Sequence, residues 1–357
     1  MPRRRVMIAS IVTALLLGSA GLAVAGGRHG DLGESWAGRP APTHTGKHRK
    51  PHPGPTSTAS PSTPVPTPTT SVRPTPKPPT EPTGTQAPNP TQPSGPSGGS
   101  WWRPAVGTTW QWQLTGKLDL SAKVQVYDVD LFDTSAADVA AIHAKGAKAI
   151  CYLETGAWES YRPDASRYPS GVLGKAIDGY PEERYVDVRN LDVLRPIIDA
   201  RLDLCAQKGF DGVEPDIDDS FVDVGASGIG FPVTYADQLA FNRMVAADAH
   251  ARGLAIGLKN GTYGDRAAQF VKDIQPSVDY AVNEECAAED ACGMLAVFTD
   301  NGKPVFHTEY LGDYRQASTS NYSPVLNTFC PVTRPLRFSS ILKDASESLS
   351  AWRQACP

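Results

Sequence analysis

The sequence predicts an α/β fold, a single (β/α)8 TIM barrel over residues 101–357, carried behind an export signal and a long disordered spacer. Three observations lead there. Short β-prone runs alternate with longer helical ones, the pattern of parallel strands joined by crossover helices. One junction recurs, because "HAKGAKAICY", "CAQKGFDGVE" and "HARGLAIGLK" each pass from a helix end through glycine into a strand. The segment also has the length usual for eight such units. An open doubly wound sheet is the alternative, but no glycine fingerprint follows the first strand.

Taken in order, residues 1–25 read as a signal peptide. Arg3-Arg4-Arg5 precedes an apolar run that ends Ala23-Val24-Ala25, which predicts cleavage after Ala25. An uncleaved anchor is the alternative, since the run is just long enough to span a bilayer. Residues 26–100 are a linker, and from Pro51 to Ser100 it is almost wholly Pro, Thr, Ser and Gly. Such a chain has too little apolar surface to offset its ordering entropy. The formal charge of the whole chain is only −4. The tail carries lysines and arginines with few acids beside them, so the folded part is more acidic than the whole chain, which disfavours nucleic acid and favours neutral or cationic ligands. No segment after the export signal is apolar enough to enter a membrane.

All six cysteines fall in the folded part. An even number in an exported chain suggests disulfides. Cys286 lies near Cys292, and Cys330 and Cys356 bracket the C-terminal segment, so these are paired. Cys151 with Cys205 follows by elimination, with a buried Cys151 thiol as the alternative.

The expected strands are Trp110–Leu114, Val124–Val129, Ala147–Leu153, Tyr185–Val188, Gly212–Pro215, Ala255–Lys259, Tyr280–Asn283 and Val305–Thr308. Helices are expected over Thr134–Lys145, Leu191–Lys208, Tyr235–Arg252 and Asp265–Ile274. The first is capped by Ser135 or Thr134, and Gly146, Gly209 and Gly253 close three of them. Gly225 to Gly230 reads as a flexible lid in a long loop.

One stretch organises the chain, Gly209-Phe-Asp-Gly-Val-Glu-Pro-Asp-Ile-Asp-Asp219. Glu214 and Asp216 stand two apart on a strand, so both point to one side. A buried strand ending in two acids is costly unless charge is wanted there. In a barrel of this kind the site lies at the C-terminal strand ends. Those ends carry Gln113, Asp128, Asp130, Glu154, Asp187, Glu214, Asp216, Lys259, Asn260, Asn283, Glu284, Glu309 and Tyr310. Trp110, Trp112, Trp158, Tyr161 and Tyr263 lie nearby, and aromatic faces beside acids and amides describe a carbohydrate cleft.

Two opposed carboxyls are the equipment of glycoside hydrolysis, one giving a proton and the other attacking the sugar or activating water. Crowding pushes their pKa values apart. Lys259 would tune such a pair or bind a substrate oxygen. A cation site at Asp216, Asp218 and Asp219 lacks the calcium-loop pattern, so no metal or other cofactor is expected. No G-x-S-x-G elbow is present. His143 and His250 read as structural, and His307 as a core histidine at a strand end.

These segments resemble glycoside hydrolase family 114, the endo-α-1,4-polygalactosaminidases. The likeness rests on Trp110-Gln-Trp-Gln-Leu114, Tyr127-Asp-Val-Asp130, Cys151-Tyr152, Glu159-Ser-Tyr-Arg-Pro-Asp164 and Glu183-Arg-Tyr-Val-Asp-Val-Arg189. It continues through Gly212-Val-Glu-Pro-Asp216, Gly257-Leu-Lys-Asn260, Asn283-Glu-Glu-Cys286, Val305-Phe306 and Glu309-Tyr310. The resemblance implies a barrel that cuts within α-1,4-linked galactosamine polymers with retention. It implies Asp216 as nucleophile and Glu284 as general acid/base, or the reverse. Asp128, Glu154, Glu214, Lys259, Asn260, Glu309 and Tyr310 would form the substrate-binding shell. A galactosamine-containing polysaccharide is then the partner, met by a monomer. The family's usual "EPDN" is "EPDI" here, placing Ile217 where an amide is expected, and "NEQC" is "NEEC", adding Glu285. A non-catalytic sugar-binding module and a glycosidase for another hexose polymer are the competing readings.

Overall fold

The computed structural model describes residues 100–314, 317–345 and 349–357. The signal peptide expected at 1–25 and nearly all of the linker expected at 26–100 lie outside those residues. In chain order the elements are β1 (Trp110–Trp112), β2 (Val126–Asp130), α1 (Ala136–Ala144), β3 (Lys148–Glu154), β4 (Ala157–Glu159), β5 (Leu173–Ile177) and β6 (Tyr180–Val186). Next come α2 (Leu191–Lys208), β7 (Gly212–Asp216), α3 (Ser220–Ile229), α4 (Tyr235–Ala251), β8 (Ala255–Lys259), α5 (Ala267–Ile274) and β9 (Tyr280–Glu284). The chain finishes with α6 (Ala296–Asp300), β10 (Val305–Tyr310), α7 (Ser323–Thr333), β11 (Ser339–Lys343) and β12 (Gln354–Ala355).

Eight strands pair in parallel in the order β1-β2-β3-β7-β8-β9-β10-β11, and β12 runs antiparallel on β11. At the seam between β11 and β1, Trp110 Nε1 donates to Ser339 O at 2.7 Å and Lys343 Nζ to Trp112 O at 2.8 Å. The C-terminal segment fills the same seam, taking a bond from Gln111 Nε2 on Ala351 O at 2.7 Å and from Leu114 N on Leu349 O at 2.9 Å.

Strand alternation sorts the core into two layers. Trp110, Val126, Ile150, Ala255, Tyr280, Phe306 and Ile341 fill the barrel, while Tyr127, Val129, Cys151, Val213 and Ile256 face outward into the helix layer. Gly257 makes room inside. A Cβ there would sit 2.6 Å from the Tyr280 ring, so the bulky ring and the bare glycine are one packing solution. Ser135 caps α1 in a capping box with Asp138, and Gly209 closes α2 in the left-handed region at φ 91°.

Two expectations fail. Tyr185–Val188 is not a barrel strand. Tyr185 and Val186 end β6, which lies between β4 and β5 in a separate three-stranded antiparallel sheet. The Asp178-Gly179 pair turns β5 into β6 as a two-residue hairpin, with Gly179 at φ 88°. Asp187 consequently leaves the ring of strand ends and pairs with Arg189 at 2.7 Å. The eighth barrel strand is β11, whose Ser339, Ser340 and Lys343 hid it from an apolar-run reading. The expected lid at Gly225–Gly230 is instead part of α3, interrupted at Gly225 and capped by Gly230, because Val222 and Ile229 bury against the helix layer.

The cysteines pair as expected, Cys286–Cys292, Cys330–Cys356 and Cys151–Cys205, the last tying β3 to α2. No helix among the described residues is long and apolar enough to cross a membrane.

Candidate active site

Inward positions at the C-terminal strand ends carry Asp128 (β2), Tyr152 and Glu154 (β3), Glu214 and Asp216 (β7), Lys259 (β8), Glu284 (β9) and Tyr310 (β10), all buried. At three of these ends the next residue adopts a left-handed backbone: Ile217 at φ 54°, Asn260 at φ 51° and Glu285 at φ 61°. Each such residue stops the ladder and swings the chain outward, leaving the preceding Asp216, Lys259 or Glu284 aimed at the mouth. Asn tolerates this geometry, whereas β-branched Ile217 holds it at a cost of about 1–2 kcal/mol. The conformation is over-determined by its surroundings, since a Cβ on Gly156 would lie 1.8 Å from Ile217 O.

Lys259 is the centre. Its Nζ stands 2.9 Å from Asp216 Oδ1, 3.1 Å from Glu214 Oε1 and 3.3 Å from Glu284 Oε2, with the Trp112 ring centroid at 4.8 Å. Burial works against this ammonium, but Asp216, Glu284 and Glu214 outweigh it and hold its pKa well above the usual lysine value. Asp216 also accepts from Tyr152 OH at 2.7 Å and from Ile217 N at 3.0 Å. With Lys259 Nζ, three donors therefore meet on this one carboxylate. Glu284 accepts from Tyr310 OH at 2.6 Å and Asn260 Nδ2 at 3.2 Å. Burial raises its pKa above the ordinary glutamate value while Lys259 opposes the shift. Beneath them, burial pushes Glu214 up to about 7 despite Lys259, and burial with the Glu214 charge raises Asp128 well above its usual value. Asp128 and Glu214 thus face each other as a pair of buried acids whose charges oppose one another.

Most of the shell expected from the sequence converges here. Asp128, Glu154, Glu214, Lys259, Asn260 and Tyr310 all lie at this mouth or directly under it. Glu309 does not. It faces the helix layer, where His307 Nε2 at 2.9 Å, Ala287 N at 2.9 Å and Tyr314 OH at 2.7 Å occupy its carboxylate. Its strand neighbour Tyr310 points inward, and adjacent strand residues cannot share a face. Trp110 and Trp112 are fully buried core residues rather than exposed platforms. Asp218 and Asp219 accept backbone N–H bonds from Lys259 at 3.2 Å and Gly261 at 2.8 Å. His143 and His250 pair with Asp211 and Asp279. Among the residues not anticipated, Tyr152 carries the most weight, bridging Asp216 and, at 3.2 Å, Glu154. Its inward parity with Glu154 was the available signal.

Tyr310 offers a direct check on Glu284. Its hydrogen bond favours the ionised carboxylate, so Tyr310→Phe raises the Glu284 pKa further. If Glu284 acts as an acid, the alkaline limb of the kcat/KM profile moves to higher pH in the variant. An unmoved limb would show that another group sets it.

A curled sheet of eight parallel strands with carboxylates buried at its C-terminal mouth is a scaffold on which glycoside hydrolases are built. The family model described as Glycoside-hydrolase family GH114 matches residues 91–357, and the chain belongs to that family. It is an endo-acting, polygalactosaminidase-like enzyme. The crystal structure of Aspergillus fumigatus Ega3 in complex with galactosamine is 34% identical, with a TM-score of 0.63 over 72% of this chain and 98% of that one. A variant of the glycoside hydrolase domain of PelA from Pseudomonas aeruginosa shares the fold at 12% identity, with a TM-score of 0.50 over 67% of this chain and 96% of that one. No curated protein sequence matches the chain.

Proposed function

We propose that this protein is an exported hydrolase that cuts internal α-1,4 bonds of galactosamine-containing polysaccharide by double displacement, with Asp216 as nucleophile and Glu284 as acid/base. One observation carries the reading: Asp216 Oδ1 and Glu284 Oε2 share Lys259 Nζ at 2.9 and 3.3 Å. Two oxygens on one nitrogen at those distances stand closer than the roughly 6.5–9.5 Å that leaves room for an inverting water. In the first step Glu284 gives its proton to the glycosidic oxygen as the C1–O bond breaks, and Asp216 closes on C1 as an ester. In the second, Glu284 takes a proton from water, the water oxygen bonds to C1, and Asp216 leaves as carboxylate. An acidic mouth draws in a chain of ammonium-bearing sugars. The likeness to the galactosamine complex of Ega3 supports the same sugar class. Three disulfides and the Arg-rich, apolar N-terminal run support export.

The test is digestion of de-N-acetylated polygalactosamine by the purified chain. Reducing ends should appear, with early products several units long. Binding to the polymer with no new reducing ends would make the chain a sugar-holding module instead.

A further inference from the structure

Beside the catalytic pair lies an acid cluster that neither Lys259 nor any arginine neutralises in full. Arg162 is spent on Asp130, at 2.7 and 3.1 Å, and on Glu159, at 2.8 Å. Arg201 is spent on Asp164, at 2.8 and 2.9 Å, and on the Glu154 carbonyl oxygen. Glu154 and Glu183 are left over. Both side chains are fully buried, each holds one tyrosine hydroxyl on Oε1, and each keeps an Oε2 with no partner among the described residues. No lysine, arginine or histidine of the described residues forms an ion pair with either carboxylate. Burying a carboxylate without a cation is costly, so two together mark a place built for a positive charge brought from outside.

Position says which charge. Tyr152 OH spans Asp216 and Glu154, so Glu154 is one hydroxyl away from the proposed nucleophile. In a galactosaminyl unit the ammonium sits on C2, one bond from the anomeric carbon that a nucleophile attacks. Glu183 comes from β6, opposite Glu159 of β4, and Tyr161 OH bridges that pair at 2.8 and 3.0 Å. Tyr161 is 42% exposed, so the roof of the cluster faces solvent. Burial and the Glu159 charge push Glu183 up to about 8, the state of an acid lacking its cation.

We propose that Glu154 and Glu183 form an ammonium-reading subsite, which takes the C2 ammonium of the unit held at Asp216 and rejects the N-acetylated counterpart. The three-stranded sheet β4–β6 is then the specificity module added to the barrel. An acetamide brings no charge and leaves both carboxylates buried and unpaired. This assignment rests on the hydrolase reading above.

The experiment has two arms, on the wild type and Glu183→Gln, with Glu154→Gln as the second variant should the first fail to fold. In the first arm, binding of galactosamine, N-acetylgalactosamine and galactose is followed by NMR titration. Galactosamine affinity should fall by about tenfold or more in the variant, while galactose affinity stays level. In the second, kcat/KM is compared on de-N-acetylated and N-acetylated oligomers. The wild type should favour the amine form, and the preference should shrink in the variant through KM. A natively folded variant that binds galactosamine as the wild type does would overturn the subsite. Wild-type cleavage of both oligomers alike would also overturn it and leave the hydrolase reading standing. Amine-selective binding without any cleavage would do the opposite.

Discussion

Asp216→Asn is expected to lower kcat on α-1,4-galactosamine oligomers by about 10⁴-fold or more, because the covalent route disappears with the proposed nucleophile. An asparagine oxygen in the Oδ1 place still accepts from Ile217 N, its amide nitrogen can donate to Tyr152 OH, and Lys259 keeps Glu214 and Glu284, so galactosamine binding changes little beside that loss. Glu284→Gln costs a similar factor on the natural linkage, where the leaving oxygen needs a proton. On a glycoside with an activated aryl leaving group the two variants part company. Ester formation then needs no acid, so Glu284→Gln forms its intermediate while Asp216→Asn forms none. The reverse pattern would exchange the two roles.

Lys259→Met is expected to have the largest effect on stability. Asp216, Glu214 and Glu284 each lie within 3.3 Å of this one ammonium, and all are buried. Removing one partner of a buried ion pair typically costs about 3–5 kcal/mol, since the remaining charge is left uncompensated. The pH dependence has a definite sign. Lys259 opposes the upward shifts of Glu214 and Glu284, so its loss drives both folded-state pKa values higher. A carboxyl whose folded pKa lies above its unfolded value stabilises the fold below the unfolded pKa. That stabilisation is lost as pH rises through the folded value. The variant should therefore approach wild-type stability in mild acid and fall away towards neutral pH and above, as read by thermal unfolding at a series of pH values. A deficit that grows in acid would contradict the electrostatic account.

Much of this site could be read from the chain because it obeys two short rules. Glu214 and Asp216 are two apart on a strand, and Lys259 and Glu284 close strands of unambiguous β character. Parity was the information left unused for Glu309: Tyr310 beside it is large, aromatic and inward, which sends Glu309 to the helix layer. The eighth strand escaped because Ser339, Ser340 and Lys343 break its apolar run; Lys343 holds Trp112 O at the seam, while the Ser340 hydroxyl meets His307. Glu183 was illegible for another reason. Its place beside Glu154 depends on a hairpin at Asp178-Gly179 folding an antiparallel sheet back onto β3, a long-range arrangement with no local signature at Glu183. Ile217 shows the converse, a residue that local propensity argues against and that tertiary contact with Gly156 holds in place.

The central claim is that Asp216 and Glu284 flank one glycosidic bond closely enough for a covalent intermediate. NMR of the first-formed products from de-N-acetylated α-1,4-galactosamine oligomers, recorded before mutarotation, tests it most directly. The account predicts new reducing ends in the α configuration. First-formed β ends would require a water between the carboxylates and would contradict it.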